Sequence, residues 1–169
     1  MERRELFSSL TSSFKGEARE GKQEKVLRQK ILRPPYYIDE SAFHKGCTEC
    51  EDKPCATICE EQIILIQEDG TPKLDLSVSG CTFCDDCAIA CEFDVLQVEA
   101  MRKIDAKIEI NVLECMSWHQ TLCFSCKDPC FEKAIEFLGM VRPTINEEKC
   151  TNGGLCMHTC PVQAIKITA

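Results

Sequence analysis

The sequence predicts an α+β protein made of two consecutive units, each built from repeats of strand, cysteine-bearing loop, short helix and strand. Three observations carry this. Fifteen cysteines in 169 residues fall into four compact groups: CTECEDKPCATIC (47–59), CTFCDDCAIAC (81–91), CMSWHQTLCFSCKDPC (115–130) and CTNGGLCMHTC (150–160). The groups begin at residues 47, 81, 115 and 150, a period of 34, 34 and 35 residues. Apolar flanks repeat with the cysteines. Four, five and seven residues after the last cysteine of each group stand Ile63, Ile64, Ile66; Val95, Leu96, Val98; Ala134, Ile135, Phe137; and Ala164, Ile165, Ile167. Five residues before the first cysteine of the last three groups stand Leu76, Ile110 and Ile145.

In chain order, residues 1–33 form a leader, either a docking segment or a disordered one. Within it KQEKVLRQKIL (22–32) has the composition of a short helix, which Pro34 and Pro35 would stop. RPPYY (33–37) reads as a rigid linker or as an element that docks a partner. The first unit spans 34–99 and the second 100–169. YYIDESAFHKGC gives the first cysteine group no clear strand before it. β-prone runs bracket the other groups, and EDGTP (68–72) supplies a turn between the first two repeats.

The spacing identifies what the cysteines hold. In C-x2-C-x2-C-x3-C the first three thiolates wrap one iron–sulfur cube, and the fourth ligates the other cluster of a pair, as in two-cluster ferredoxins. The second group, Cys81, Cys84, Cys87 and Cys91, fits this spacing without change. The first group widens the second gap: Cys47, Cys50, Cys55, Cys59. The third widens the first gap to seven residues: Cys115, Cys123, Cys126, Cys130. The fourth, Cys150, Cys156 and Cys160, carries Gly153 where a fourth cysteine is expected. The expectation is therefore two ferredoxin-like units holding three [4Fe–4S] clusters and one three-cysteine cluster, either [3Fe–4S] or a labile [4Fe–4S].

If neighbouring groups exchange their last cysteines, Cys91 completes the Cys47, Cys50, Cys55 set and Cys59 the Cys81, Cys84, Cys87 set. Cys160 then completes Cys115, Cys123, Cys126, and Cys130 joins Cys150 and Cys156. A nested exchange, first group with fourth and second with third, stays open alongside it. Asn152, His158 and His119 are the non-cysteine side chains near the incomplete set, and the surface role is the plainer reading of both histidines. Zinc is the rival metal, but it favours two C-x2-C knuckles separated by a dozen residues or more.

Composition narrows the function. Residues 1–33 carry nine Lys/Arg and five Asp/Glu, whereas the rest carries eleven and twenty-three, so a basic leader precedes an acidic body. An acidic body argues against nucleic-acid binding. No run approaches the roughly 18 apolar residues of a membrane span. The leader lacks the apolar core of a secretory signal, so the expected compartment is the cytoplasm, where abundant cysteines mean metal rather than disulfides. No nucleophile triad, phosphate loop or paired carboxylates stand out, so an electron carrier or accessory is expected rather than an enzyme. Trp118, inside the long gap of the third group, either shields a cluster or faces a partner.

RPPYYIDESAFHKGCTEC, DGTPKLDLSVSGCTFCDDCAIAC, the spacing C-x7-C-x2-C-x3-C and the closing CMHTCPVQAI together resemble the NapF-type ferredoxins over residues 33–167. The seven-residue gap after Cys115 is the least generic shared feature. The resemblance implies a cytoplasmic protein with four iron–sulfur clusters and no catalytic pocket. It implies a partner, the catalytic subunit of the periplasmic nitrate reductase, whose iron–sulfur cofactor it would help mature or keep competent before export. The alternative is a general electron-transfer subunit of a respiratory or other redox complex. The chain departs from the pattern at the bulge including Asp52 to Pro54, in having proline only after Cys160, and at Gly153.

Overall fold

The computed structural model describes residues 30–169. Its regular elements are short: α1 (Pro54–Thr57), β1 (Ile64–Ile66), β2 (Pro72–Leu74), α2 (Asp86–Ile89), β3 (Lys107–Ile110), β4 (Ile135–Leu138), β5 (Val141–Ile145), α3 (Leu155–His158) and β6 (Ile165–Thr168). A π-turn at Phe43–Cys47 and a 3-10 turn at Met116–His119 complete them. The mixture of small helices and strands is the one expected.

The strands form antiparallel pairs, β1 with β2, β4 with β5, and β3 with β6. The β1–β2 hairpin closes through the predicted turn, where Gly70 takes a positive φ of 79° and its N–H donates to the Gln67 carbonyl at 2.9 Å. Asp69 accepts from both the N–H and the hydroxyl of Thr71, which is fully buried. Gly139 turns the β4–β5 hairpin at φ 68°. Pro72 and Pro143 lie within strands, which two-stranded sheets tolerate because every strand is an edge. Around the β4–β5 hairpin, β3 pairs with β6 from Lys107↔Thr168 to Ile110↔Ile165. Around the β1–β2 hairpin the corresponding outer pair shrinks to one bridge, Tyr37↔Leu96. The β-prone run after the second cysteine group therefore forms no strand, although Val95 and Leu96 are buried. Pro34 and Pro35 lead into its partner segment and offer no N–H for a longer ladder.

Two apolar cores result. One joins Tyr36, Phe43, Ile63, Leu74, Leu76, Phe83 and Ile104; the other joins Ile108, Ile135 and Ile165 with Cys126 and Cys156. The chain crosses from one core to the other between Ile104 and Ile108. RPPYY is neither a linker nor a docking element. Pro34, Pro35 and Tyr36 are fully buried, and Arg33 donates to the Thr71 hydroxyl at 2.9 Å and the Pro72 carbonyl at 2.8 Å while its guanidinium covers the Phe43 ring. The reading of residues 1–29 as a leader lies outside the described residues. Among the described residues no helix is long and apolar enough to cross a membrane.

Candidate metal centres

The backbone shapes the cysteine loops in a recurrent way. Each α-helix starts just after a residue in the left-handed region: Lys53 (φ 47°), Asp85 (69°) and Gly154 (85°). That puts the cysteine at the third ligand position of its group, Cys55, Cys87 or Cys156, on the first helical turn. The third group forms no such helix. Asp128 precedes Pro129, which disfavours helical backbone, and turns run there instead. Three residues after the last cysteine of every group the chain again turns left-handed, at Gln62, Asp94, Lys133 and Gln163, with φ between 50° and 53°. The amides that follow then reach back to sulfur: Ala134 N–H to Cys130 Sγ and Ala164 N–H to Cys160 Sγ at 3.3 Å, and Leu96 N–H to Cys91 Sγ at 3.5 Å.

Four cavities gather the cysteines, and all fifteen line one or another. Cys47, Cys50, Cys55 and Cys91 line the first. Cys59, Cys81, Cys84 and Cys87 line the second. Cys115, Cys123, Cys126 and Cys160 line the third. Cys130, Cys150 and Cys156 line the fourth, joined at its rim by Cys81. These are the sets expected from exchange between neighbouring groups; the nested alternative finds no counterpart in them. The three-thiol cavity is the roomiest of the four, about 180 Å³.

Electrostatics follows these sets in the main. Burial pushes the Cys87 and Cys156 thiols up to about 12, and Cys55, Cys81 and Cys126 to about 11. After burial come the neighbouring thiols: Cys47 and Cys91 act on Cys55; Cys130 and Cys150 act on Cys156. Across set boundaries, Cys55 also acts on Cys87 and Cys126 on Cys156. Thiols held this way stay protonated until a cation displaces the proton. No disulfide links any of them. Among the described residues no three His, Cys, Asp or Glu side chains converge closely enough for a single ion. The sulfurs line cavities instead, an arrangement that suits a multi-iron cube. With sulfur donors, room between them and amides aimed at sulfur, the residues fit iron–sulfur clusters.

The fourth set holds the surprise. Asn152 is buried, and its amide nitrogen donates to the carbonyls of Ile104 (3.0 Å) and Ala106 (2.6 Å). Its Oδ1 is thereby turned toward Cys150 Sγ, 3.4 Å away. Asn152 pins the crossing segment to the fourth loop. The missing cysteine has a steric cause that sequence reasoning did not reach. A Cβ on Gly153 would stand 2.8 Å from the Cys81 carbonyl oxygen and 2.9 Å from the Phe83 ring. His119 is engaged with the Leu113 carbonyl at 3.0 Å, and His158 is exposed on α3. Trp118 donates to the Pro143 carbonyl at 3.1 Å with Arg142 over its ring, which ties the long gap to β5.

The family model described as a 4Fe-4S binding domain matches residues 143–166, the segment containing the fourth loop. Two curated relatives are named ferredoxin-type protein NapF. The one from Escherichia coli (strain K12) is 33% identical over 138 residues, covering 79% of this chain and 82% of the relative. The one from Haemophilus influenzae is 33% identical, covering 79% of this chain and 77% of the relative. Ferredoxin-type protein NapG of Escherichia coli (strain K12) is 28% identical over 80% of this chain and 69% of its own length. At this identity, and over this much of both chains, the protein belongs to the NapF family of ferredoxin-type iron–sulfur proteins.

Proposed function

We propose that this chain consists of two ferredoxin-like units, about 34–99 and 100–169 behind a leader at 1–33, carrying four iron–sulfur centres. It serves the periplasmic nitrate reductase system from the cytoplasm, supporting the iron–sulfur cofactor or redox state of the catalytic subunit before export. The observation that carries the cluster assignment is the grouping of all fifteen cysteines around four cavities. Three cavities take [4Fe–4S] clusters, and the fourth takes a three-cysteine cluster, [3Fe–4S] or a labile [4Fe–4S]. A bound cluster supplies reversible uptake of single electrons. The chain itself supplies the thiolates, the amides on their sulfurs and the apolar walls that keep water away.

A second reading, a general single-electron relay, draws on the placement of the cavities. The second and fourth share Cys81, Thr82 and Phe83 on their walls. The first and second exchange Cys59 and Cys91 between their groups, and the third and fourth exchange Cys130 and Cys160. The centres therefore follow one another in space as first, second, fourth, third.

Two measurements test this. Iron and acid-labile sulfide, with EPR on protein purified without oxygen, should give about 15 irons per chain and an oxidised-state signal if the fourth centre is [3Fe–4S], and about 16 without one if it is [4Fe–4S]. A colourless, iron-free preparation loaded with zinc would overturn the assignment. Pull-down against immature and mature catalytic subunit separates the two readings. Preference for the immature form supports the accessory role. Equal binding with rapid electron transfer supports the relay.

A further inference from the structure

We infer that the Ser117 hydroxyl donates a hydrogen bond to a sulfur of the centre held by Cys115, Cys123, Cys126 and Cys160, and so raises the reduction potential of that centre alone. This rests on the reading of the third cavity as an iron–sulfur centre. Ser117 is 1% exposed, and its Oγ is one of only two buried side-chain polar atoms among the described residues without a hydrogen-bond partner. Buried hydroxyls in folded proteins are paired, so an orphan asks for an absent acceptor. The hydroxyl-bearing residue lies on the wall of the third cavity together with the four cysteines. The rest of that wall is mostly apolar, with Ile110, Pro143, Pro161, Val162 and Ile165, and its other hydroxyl, Ser125, already accepts from the Cys123 sulfur at 3.7 Å. Sulfur is the acceptor that such a wall leaves to Ser117.

The fold explains how the hydroxyl arrives there. The seven-residue gap after Cys115 winds into the 3-10 turn Met116–His119, closed by Trp118 N–H to the Cys115 carbonyl at 3.0 Å and Thr121 N–H to the Met116 carbonyl at 3.1 Å. The neighbours of Ser117 in that turn are spent outward, Trp118 on the Pro143 carbonyl and His119 on the Leu113 carbonyl. Ser117 alone of the turn is buried. None of the other three cavities has a buried, unpartnered hydroxyl on its wall. A hydrogen bond donated to thiolate or sulfide, the proton staying on the serine oxygen, offsets negative charge. The reduced cluster carries one electron more than the oxidised one, so the donor favours the reduced form. No bond is made or broken in that step; the titrant supplies the electron and the cluster holds it.

The test is an EPR-monitored redox titration, with dithionite as reductant, of the full cluster-loaded chain purified without oxygen. Ser117→Ala and Ser117→Thr are compared with the parent, with iron and sulfide measured on each. The expected result is one wave shifted to lower potential in Ser117→Ala, the others unmoved, iron unchanged, and the wave restored in Ser117→Thr. A tenfold change in the one-electron equilibrium reads as about 59 mV. Loss of the wave in Ser117→Ala with its retention in Ser117→Thr also supports the hydroxyl. Coincident waves in all three proteins, a common shift of every wave, or the same change in both variants would each reduce Ser117 to packing and overturn the inference. Four normal waves in the parent keep the cluster reading intact in those cases, whereas a parent without iron overturns both.

Discussion

The Cys81 backbone N–H donates to the carbonyl of Gly153 at 2.6 Å, so the second and fourth cysteine loops touch main chain to main chain. Gly153 is the residue that interrupts the fourth ligand motif. Its lack of a side chain is what lets the Cys81 carbonyl and the Phe83 ring come within a forbidden distance of where a Cβ would stand. Gly153→Cys should therefore not supply a fourth thiolate. Its Cβ collides with backbone, which cannot swing aside as a side chain can. We expect no gain in iron per chain over the parent and a loss of about 1–3 kcal/mol from overpacking. Iron analysis and thermal denaturation check this, and a variant with one more iron and undiminished stability would contradict it.

Gly80 meets the same contact from the other side. A Cβ there would lie 2.4 Å from the Leu155 amide nitrogen, 2.7 Å from the Gly153 oxygen and 2.8 Å from the Gly154 carbonyl carbon. All three atoms are backbone, so even Gly80→Ala must part the loops. It should cost at least as much as Gly153→Cys while removing no ligand. Thermal melting of the loaded protein, with iron content unchanged at low temperature, is the expected signature. An unaltered melting temperature would mean that the two loops do not meet in solution.

Much of the candidate site is legible in the sequence because ligand spacing is a local property. Three cysteines within seven to twelve residues must face one volume, whatever the rest of the chain does. That the last cysteine serves another cluster is nearly as legible, since it follows the loop at a fixed step, but which group receives it is not, because neighbouring and nested exchange use the same ligands. Gly153 is a different matter: its meaning depends on Cys81 and Phe83, residues remote in sequence. Tyr36 belongs to the core because the Phe83 ring meets it edge-on and Leu96 bridges to its neighbour Tyr37, which no local pattern shows. Pro54 and Pro129 teach the finer point. Pro54 occupies the first position of α1, where its missing N–H costs nothing, and a helix forms. Pro129 closes the equivalent stretch of the third group, and none forms.

Asn152 is held by its amide nitrogen on two carbonyls of the crossing segment, Ile104 and Ala106. Asn152→Ala removes the donor and leaves a buried acceptor without it, at a cost of about 1–3 kcal/mol. Asn152→Asp should be worse, because a carboxylate would face two carbonyls and the Cys150 sulfur. The order of melting temperatures, parent above Ala above Asp, is the check. The reverse order of the two variants would show that Asn152 acts through its size.

Cys91 belongs to the second group in sequence but lines the cavity of Cys47, Cys50 and Cys55. Cys91→Ala should damage the first centre and leave the second with four thiols. Combination with a second lesion makes this testable. Cys91→Ala with Cys50→Ala hits one centre twice, so the loss of iron should be far less than additive. Cys91→Ala with Cys84→Ala hits two centres, and the losses should add. Additivity in the first pair and its failure in the second would reverse the assignment.

Removal of the clusters should unfold the chain. No strand among the described residues exceeds five residues, each sheet has two strands, and the α-helices have four residues each. Two-stranded sheets are marginal on their own. The second core uses Cys126 and Cys156 as buried members beside only three buried isoleucines. Once iron is stripped, those sulfurs and their partners Cys130 and Cys160 enclose volumes with nothing to fill them, and the loops between lose the bonds that bring distant groups together. Oxidative stripping in the presence of a chelator should abolish the cooperative thermal transition seen by circular dichroism. Ferrous iron and sulfide with a thiol reductant should restore it. If the iron-free protein keeps a cooperative transition near that of the loaded form, the apolar cores alone hold the fold and the cysteine sets are passengers on it.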